Sequence, residues 1–471
     1  MRDRVLSCDV PGGVDAERAF ETLWGGAEHA FWLDTDARSG GTSFLGAAEW
    51  VVDAEEIRTR GGDVLGWLRS ERARWDVDTS DVDGGFALGI VGWFGYELYA
   101  ETMGLGAMAP RRYPDALFMR VDRALAVDHA TGRARLLARG RAWEGELAQW
   151  RDGVLAQLAG VGRGLEAPLG GGSTSETAVA PAGSGRSLSE AAGRVEGTHP
   201  LEWAYSDEYY LRMIRECQHA IAEGDAYVLC LTTEAHVAGE FDPWQVYCRV
   251  RRSSPSHHGA YLRSGSIALL SASPEQFLTV RRDGWVETKP IKGTRPRGAT
   301  PADDEALASR LRADHKERAE NVMIVDLMRN DLSRVCAVGT VEVVKLLEVE
   351  TYPHVHQLVS TVGGRLAAGR DAVHALASCF PAGSMTGAPK HSAVSILSRL
   401  EGRSRGIYSG AFGYLGYDGA VDLAMTIRSI VIDPAGATIG TGGGITAHSV
   451  PEDELEETRL KAAALLAALQ P

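Results

Sequence analysis

Two spacings of apolar residues divide this chain. Over residues 206–223, Tyr210, Ile214, Cys217 and Ile221 recur at three- and four-residue steps behind Ser206, which predicts a helix opened by a serine cap. DHKERAENVMIVDLMRNDLSRV (314–335) has no glycine or proline, and PEDELEETRLKAAALLAAL (451–469) has none after its first residue, so both predict uninterrupted helices. Shorter apolar runs, YVLCLTTEAHV and IALLSASPEQFLTV, predict strands. Residues 406–432, GIYSGAFGYLGYDGAVDLAMTIRSIVI, predict a hairpin turning at YDG. A turn centred on Asp418 sets Tyr408 opposite Arg428 across the ladder. Upstream, FALGIVGWFGYELY and YPDALFMRVDRALAVDHATG predict a strand-rich α/β region over residues 1–162. Residues 163–200 are rich in Gly, Ser, Ala and Pro and hold no aromatic residue. They predict a flexible linker or exposed loop before a second region, 201–471. No internal repeat is visible.

Composition narrows the classes. A chain of 471 residues with 44% hydrophobic and 24% charged residues is an ordinary globular protein. No apolar run approaches the roughly 18 residues that span a bilayer, and the N-terminus MRDRVLSCDVPGG lacks the apolar core of a signal peptide. The six cysteines form no CxxC pair, which predicts reduced thiols in a cytoplasmic protein. A net charge of -14 argues against nucleic acid as a partner. It also means that an anionic substrate needs local positive charge or a metal to recruit it.

Candidate chemistry clusters in the second half. KPIKGTRPRG (289–298) gathers Lys289, Lys292, Arg295 and Arg297 around a tight, proline-punctuated loop. Two readings stand: a solvated basic loop, or a reagent Lys292 kept unprotonated by its neighbours. Glu317 and Glu320 share one helix face with Ile324 and Leu327; Glu454, Glu457 and Lys461 share a face of the last helix. Each acidic face alone reads as a solvated helix surface. Two Glu-x-x-Glu helices together can supply oxygen ligands to Mg²⁺, which would in turn hold an anion. Gly442, Gly443 and Gly444 precede the last helix, and Gly383, Ser384, Thr386 and Gly387 precede another. Both read as loops whose amides can converge on an anion, although neither has P-loop spacing. Tyr408 and Arg428, if paired, could fix a carboxylate.

Taken together, the motifs resemble those of the chorismate-utilising enzymes. The resemblance covers about residues 205–467 and rests on SASPEQFL, PIKGTRPRG, KERAENVMIVDLMRND, FPAGSMTGAPK, IYSGAFGYLG, TIRSIVI and GGGITAHSVPEDELEETRLKA in that order. FWLDTDARSGGTSFLG and GWFGYELY extend it into the N-terminal region. It implies an α/β fold with two large antiparallel sheets packed face to face and helices outside. Chorismate is the implied substrate and Mg²⁺ the implied cofactor. Glu320 and Glu457 would bind the metal, with Glu317 and Glu454 beside them through water. Lys461 and the backbone of Gly442, Gly443 and Gly444 would hold the ring carboxylate. Tyr408 and Arg428 would hold the enolpyruvyl carboxylate, Thr386 would line the substrate site, and Glu275 would be the acid.

Three positions sort the subfamilies under this resemblance. The C2-aminating members carry alanine where this chain has Lys292, and lysine there marks the C4-aminating ones. The water-activating lysine of the isochorismate and salicylate synthases falls at Val228, and the histidine associated with pyruvate loss at Gln357 or, one residue away, His356. The implied reaction is attack of Lys292 on C2 of chorismate, then of ammonia on C4. The implied ammonia source is a separate glutamine amidotransferase, because none of the six cysteines has the glycine-flanked setting of a glutaminase nucleophile. A nucleophilic lysine must be neutral, and both neighbouring cations and burial are expected to lower its pKa from about 10.4.

Overall fold

The computed structural model describes residues 2–82, 85–106, 109–161 and 199–470. Most of the linker predicted at 163–200 lies outside the described residues. The predicted helices form at Asp207–Ala222, His315–Ser333 and Pro451–Ala468, and Ser206 caps the first by accepting from the Tyr209 amide.

Two sheets organise the described residues, one of thirteen strands and one of ten. All pairings are antiparallel except that of Asp3–Val10 with Val77–Asp78. Neighbouring residues on one strand serve opposite layers. Phe31, Leu269 and Val431 of the larger sheet point inward to meet Val91, Trp93, Met119 and Phe412 of the smaller one. Their neighbours Trp32, Leu270 and Ile430 point outward, under helices Ala16–Trp24, Pro243–Ser253 and Pro451–Ala468. The outer face of the smaller sheet is covered by Val64–Ala73, His315–Ser333 and Ala372–Cys379. Burial on both faces explains why these strands read as continuous apolar runs without alternation. Each large side chain buried this way contributes about 1.5–3 kcal/mol.

Both sheets take strands from both sides of residues 162–198. His29–Asp34 pairs with His258–Ser264 in the larger sheet, and Gly89–Phe94 pairs with Ala411–Gly416 in the smaller.

A buried ion pair fastens one corner. Glu401 ends the helix Lys390–Glu401, and Arg405 follows four residues later. The Arg405 guanidinium donates to both Glu401 oxygens at 2.7 and 2.8 Å, to the Met385 carbonyl at 2.7 Å and to the Cys230 carbonyl at 2.8 Å. It also lies over the Tyr96 ring, 4.3 Å from the centroid. The Arg405 and Gly406 amides donate to the Glu97 carboxylate at 2.7 and 3.0 Å. One residue thereby ties the N-terminal region, a central strand, the Met385 turn and the segment leading to Tyr408.

Removing one partner of such a pair strands a charge in the interior. Glu401→Ala should destabilise the protein by about 3–5 kcal/mol, whereas Glu348→Ala, at the half-exposed pair with Lys345, should cost under about 1 kcal/mol. Urea unfolding of the two variants checks the contrast; similar losses would refute the role given to the corner.

Candidate functional site

The site forms where the chain passes from one sheet to the other, twice, side by side. Ile267–Ser273 of the larger sheet runs through Pro274 and Glu275 into Gln276–Val280 of the smaller. Val421–Met425 of the smaller sheet runs through Thr426–Arg428 into Ser429–Asp433 of the larger. The crossings bond each other. The Met425 amide donates to the Glu275 carbonyl at 2.9 Å and the Ala272 amide to the Arg428 carbonyl at 3.1 Å. Arg428 makes its turn with φ +51°, a left-handed conformation uncommon for a side-chain-bearing residue.

This revises the predicted hairpin. The turn is centred on Asp418 as expected, with Ala411 opposite Met425 and Leu415 opposite Val421. The ladder ends there, however, and residues 429–433 belong to the other sheet. Tyr408 and Arg428 lie beyond the ladder and are not paired across strands; Tyr408 acts on Arg428 electrostatically.

Gly442–Gly444 is a strand, not the predicted loop. Gly436–Ile445 pairs along its length with Val228–Ala238, but on its other edge with Ser429–Asp433 only as far as Ile439. From Gly440 on, that edge is open among the described residues. The Cys230 amide donates to the Thr386 carbonyl and the Thr232 amide to Glu401. By antiparallel alternation, the amides of their partners Gly444 and Gly442 therefore face the open edge. Lys461 Nζ donates to the Gly442 carbonyl at 2.8 Å.

Side chains take the space that these glycines leave. The Tyr408 ring occupies the position of a Gly440 Cβ. A Cβ on Gly443 would stand 3.1 Å from Glu454 Oε2, and one on Gly444 3.4 Å from Lys292 Nζ and 3.6 Å from both Glu320 Oε2 and Val228. Both acidic helices, Lys292 and Val228 thus converge on one strand.

Lys292 lies on an edge strand, Ile291–Pro296, with a bulge at Gly293, and not in a loop. The cations around it in sequence do not surround it in space. Arg295 pairs with Asp314 at 3.0 Å and Glu317 at 3.6 Å, and Arg297 with Asp304 at 2.7 Å. The expectation that neighbouring cations discharge Lys292 is therefore corrected. Burial does press its pKa down, but Glu320 at 3.5 Å, the Cys230 thiol and Glu275 press it up by more, and the net direction is up.

Glu275 is buried, and loss of solvent pushes its carboxyl up to about 7, with Ser384, Lys292 and the Ile291 amide opposing. At neutral pH it retains a substantial protonated fraction, as a general acid requires. The four helix glutamates each face a cation: Glu320 faces Lys292, Glu457 faces Lys461 at 2.8 Å, Glu454 faces Lys316 at 3.1 Å and Glu317 faces Arg295. No three metal-binding side chains converge among the described residues. The donors nonetheless suit a hard divalent cation in kind. Burial raises the Glu317 pKa, and repulsion from Glu320 and, more weakly, Glu457 adds to it, so carboxylates from both helices share one field. Arg428 is different: no ion pair or hydrogen bond holds its guanidinium among the described residues, and burial lowers its pKa against the pull of Tyr408 and Glu457. It is a cation available to an anionic ligand. Thr386 is fully buried and its hydroxyl donates to the Ala382 carbonyl at 3.0 Å, so it shapes its own turn. His356 is held by Asp304 at 2.8 Å and by Thr351 at 2.9 Å, and Gln357 is buried beside it.

Sequence reading did not find the Glu401–Arg405 pair. Its i,i+4 spacing was the available signal, but surface pairs share that spacing. Ser384, which restrains Glu275, was noticed only as part of a glycine-rich turn.

Residues 28–467 match the chorismate binding enzyme family. The chain is 41% identical to an aminodeoxychorismate synthase of Streptomyces griseus and 40% identical to one of Streptomyces pristinaespiralis, in each case over 99% of its own length. It spans 64% and 65% of those two proteins. It is 37% identical to an anthranilate synthase component 1 of Streptomyces coelicolor, over 97% of this chain and 87% of that one. Among solved structures, anthranilate synthase component I from Streptococcus pneumoniae superposes with a TM-score of 0.67 at 25% identity, covering 99% of this chain and 92% of that one. The Escherichia coli menaquinone-specific isochorismate synthase shares the fold, with a TM-score of 0.69 at 20% identity over 99% and 95% of the two chains.

The Glu275 environment has a measurable consequence. Its carboxyl titrates near 4.5 when unfolded and about 7 when folded, so folding retains a proton between those values. Stability from this group is intact below pH 4.5 and is lost as pH rises toward 7 and above. Glu275→Gln has no such charge to bury. The variant should gain on the parent between pH 4.5 and 8 by on the order of 3 kcal/mol, measured by urea unfolding across that range. A pH-independent difference would show that the carboxyl is not desolvated.

Proposed function

The chain belongs to the chorismate binding enzyme family, and from that membership and the site we propose that it is the chorismate-aminating component of an aminodeoxychorismate synthase. The carrying observation is Lys292, whose ammonium reaches across from the smaller sheet to the open glycine strand of the larger, close to Glu275 and Val228. Val228 cannot serve as a second amine at this point.

The substrate is a dicarboxylate, and the site offers two cationic ends. Tyr408 and Arg428 receive the enolpyruvyl carboxylate. Lys461 and the open-edge amides of Gly442 and Gly444 receive the ring carboxylate, with Gly443 completing the wall and the buried Thr386 acting only through the turn it shapes. Lys292, entering as the free amine, forms a bond to C2 of chorismate; the two conjugated ring double bonds shift in turn and the C4–O bond breaks. Glu275 gives its proton to the departing hydroxyl, which leaves as water. Ammonia then bonds to C4, both double bonds shift back, the C2–N bond breaks to release Lys292 as the free amine, and the new C4 ammonium returns a proton to Glu275. The product is 4-amino-4-deoxychorismate with the enolpyruvyl group retained. Glu320 and Glu457 would hold Mg²⁺, with Glu317 and Glu454 beside them through water; when bound, the ion supplies Lewis acidity toward the ring carboxylate.

Ammonia is expected from a glutamine amidotransferase partner. The thiols support this. Cys217 and Cys248 are pushed up to about 12 and Cys336 to about 11 by burial, far from the activated range of a nucleophile. Cys230 and Cys379 are also buried and raised, and Cys8, on the strand Asp3–Val10, bonds the Asp9 carbonyl and no histidine among the described residues.

Lys292→Ala should lower product formation from chorismate, Mg²⁺ and ammonium by at least about a thousandfold. Mass analysis of the parent's product should find the enolpyruvyl group intact; anthranilate would place the amination at C2 and overturn the reading. The purified chain should use ammonium salts, faster as pH rises and more ammonia is unprotonated, and should ignore glutamine. Glutamine turnover by the chain alone would reveal a missed amide-hydrolysing site.

A further inference from the structure

Lys316 has no role in the reaction outlined above, yet it bridges the two acidic helices. It lies in the first turn of His315–Ser333, between the capping Asp314 and Glu317. A cation there opposes the helix dipole, which favours acids at that end. Its ammonium leaves the helix and donates to Glu454 Oε1 at 3.1 Å, across to Pro451–Ala468. Ser449 donates to the same oxygen at 2.7 Å, while Oε2 faces Gly443. Burial lowers the Lys316 pKa, but Glu454, Glu320 and Glu457 together raise it by more. One candidate metal ligand, Glu454, is thus held directly by a lysine of the opposite acidic helix.

The other cations of the cluster are tied to more. Lys461 also holds the Gly442 carbonyl, and Lys292 is largely buried. Lys316 makes no other hydrogen bond among the described residues, and half its side chain is exposed. Its own ammonium can swing into water. Glu454, by contrast, is 4% exposed and is left with only a serine hydroxyl when the lysine departs.

We propose that Lys316 is a tethered counter-cation of the carboxylate cluster, occupying Glu454 in the metal-free protein, competing with the divalent ion and thereby setting the affinity of the site. The proposal rests on the reading of Glu320 and Glu457 as metal ligands with Glu454 beside them. It makes the site exchangeable: the metal must displace a charge as well as shed water, so it binds less tightly than four glutamates alone would hold it.

Isothermal calorimetry with Mg²⁺, and Mn²⁺ binding followed by electron paramagnetic resonance, test this on the full chain without any turnover. Lys316→Met keeps the length of the side chain and removes its charge. It should tighten Mg²⁺ binding by about tenfold, the scale expected for removing one competing and repelling charge in a partly solvated site. Lys316→Arg should stay within about twofold of the parent. Unchanged or weaker binding in Lys316→Met, or equal tightening in both variants, would overturn the proposal. Glu320→Gln and Glu457→Gln identify which premise has failed. If both bind Mg²⁺ as the parent does, the metal-site reading is wrong and the proposal goes with it. If both lose binding while Lys316→Met does not tighten it, only the role of Lys316 is wrong.

Discussion

A strand that leaves its sheet must find new partners for its amides and carbonyls, because buried backbone cannot stay unbonded. Here two strands leave at the same place, in opposite directions, and satisfy each other. The Glu275 carbonyl takes the Met425 amide, the Arg428 carbonyl takes the Ala272 amide, and Ser429 and Ser271 join their hydroxyls. The consequences spread from there. Glu275 and Arg428 are fixed on neighbouring crossings, one a desolvated acid and the other a cation with no hydrogen-bond or ion-pair partner among the described residues. Thr426 accepts from the Ser409 amide and donates to the Gly410 carbonyl, which brings Tyr408 to the same corner. With Ser429–Asp433 arriving by this route, the glycine strand loses its second neighbour after Ile439, and an open edge of amides results.

Charge balance explains how so acidic a cluster survives at the centre of the fold. Four glutamates on two helices are met by Lys292, Arg295, Lys316 and Lys461. Lys292 and Arg295 come from the strand Ile291–Pro296, and Lys316 and Lys461 from the two acidic helices themselves; two of the four, Lys292 and Lys461, also serve the proposed chemistry. Lys292 illustrates the tension. A nucleophile needs to be neutral, yet its strongest neighbour is a carboxylate at 3.5 Å. Burial alone favours the free amine. Burial and the carboxylate thus oppose each other at this residue, the carboxylate side prevailing, and whatever engages Glu320 alters the balance.

The helices were legible because their signals are local. An unbroken run, a capping Ser206 and a four-residue apolar step need no knowledge of the rest of the chain. The two-sheet expectation came from the family resemblance, and the turn at Asp418 from YDG and the apolar residues around it. The site's side chains were legible as types: acid pairs, a lysine among glycines, a Tyr and an Arg at matching distances from a turn. Their partners were not. KPIKGTRPRG looks like a cluster of cations because sequence neighbours need not be spatial ones; Arg295 and Arg297 are held by acids of their own. GTGGGI looks like a loop because glycine breaks strands as often as it permits close approach. Only the surrounding Tyr408, Glu454 and Lys292 show which applies. The sheet change at Thr426–Arg428 carries no local signal, since both flanking strands are equally apolar.

The motifs that carry the resemblance lie almost wholly after residue 205, but the geometry does not. Glu97, from the N-terminal region, takes the two amides that precede Tyr408, and burial holds its own carboxyl up at about 7. Tyr96 supplies the ring beneath Arg405. Gly89–Phe94 flanks the strand Ala411–Gly416, whose register decides where the Thr426 crossing begins. A C-terminal half alone would keep every residue assigned to the reaction and lose the neighbours that hold Tyr408, the Met385 turn and the crossing in one frame. Chemistry and scaffold are therefore distributed differently along the chain: the reagents come from the second half, while their placement depends on strands from both.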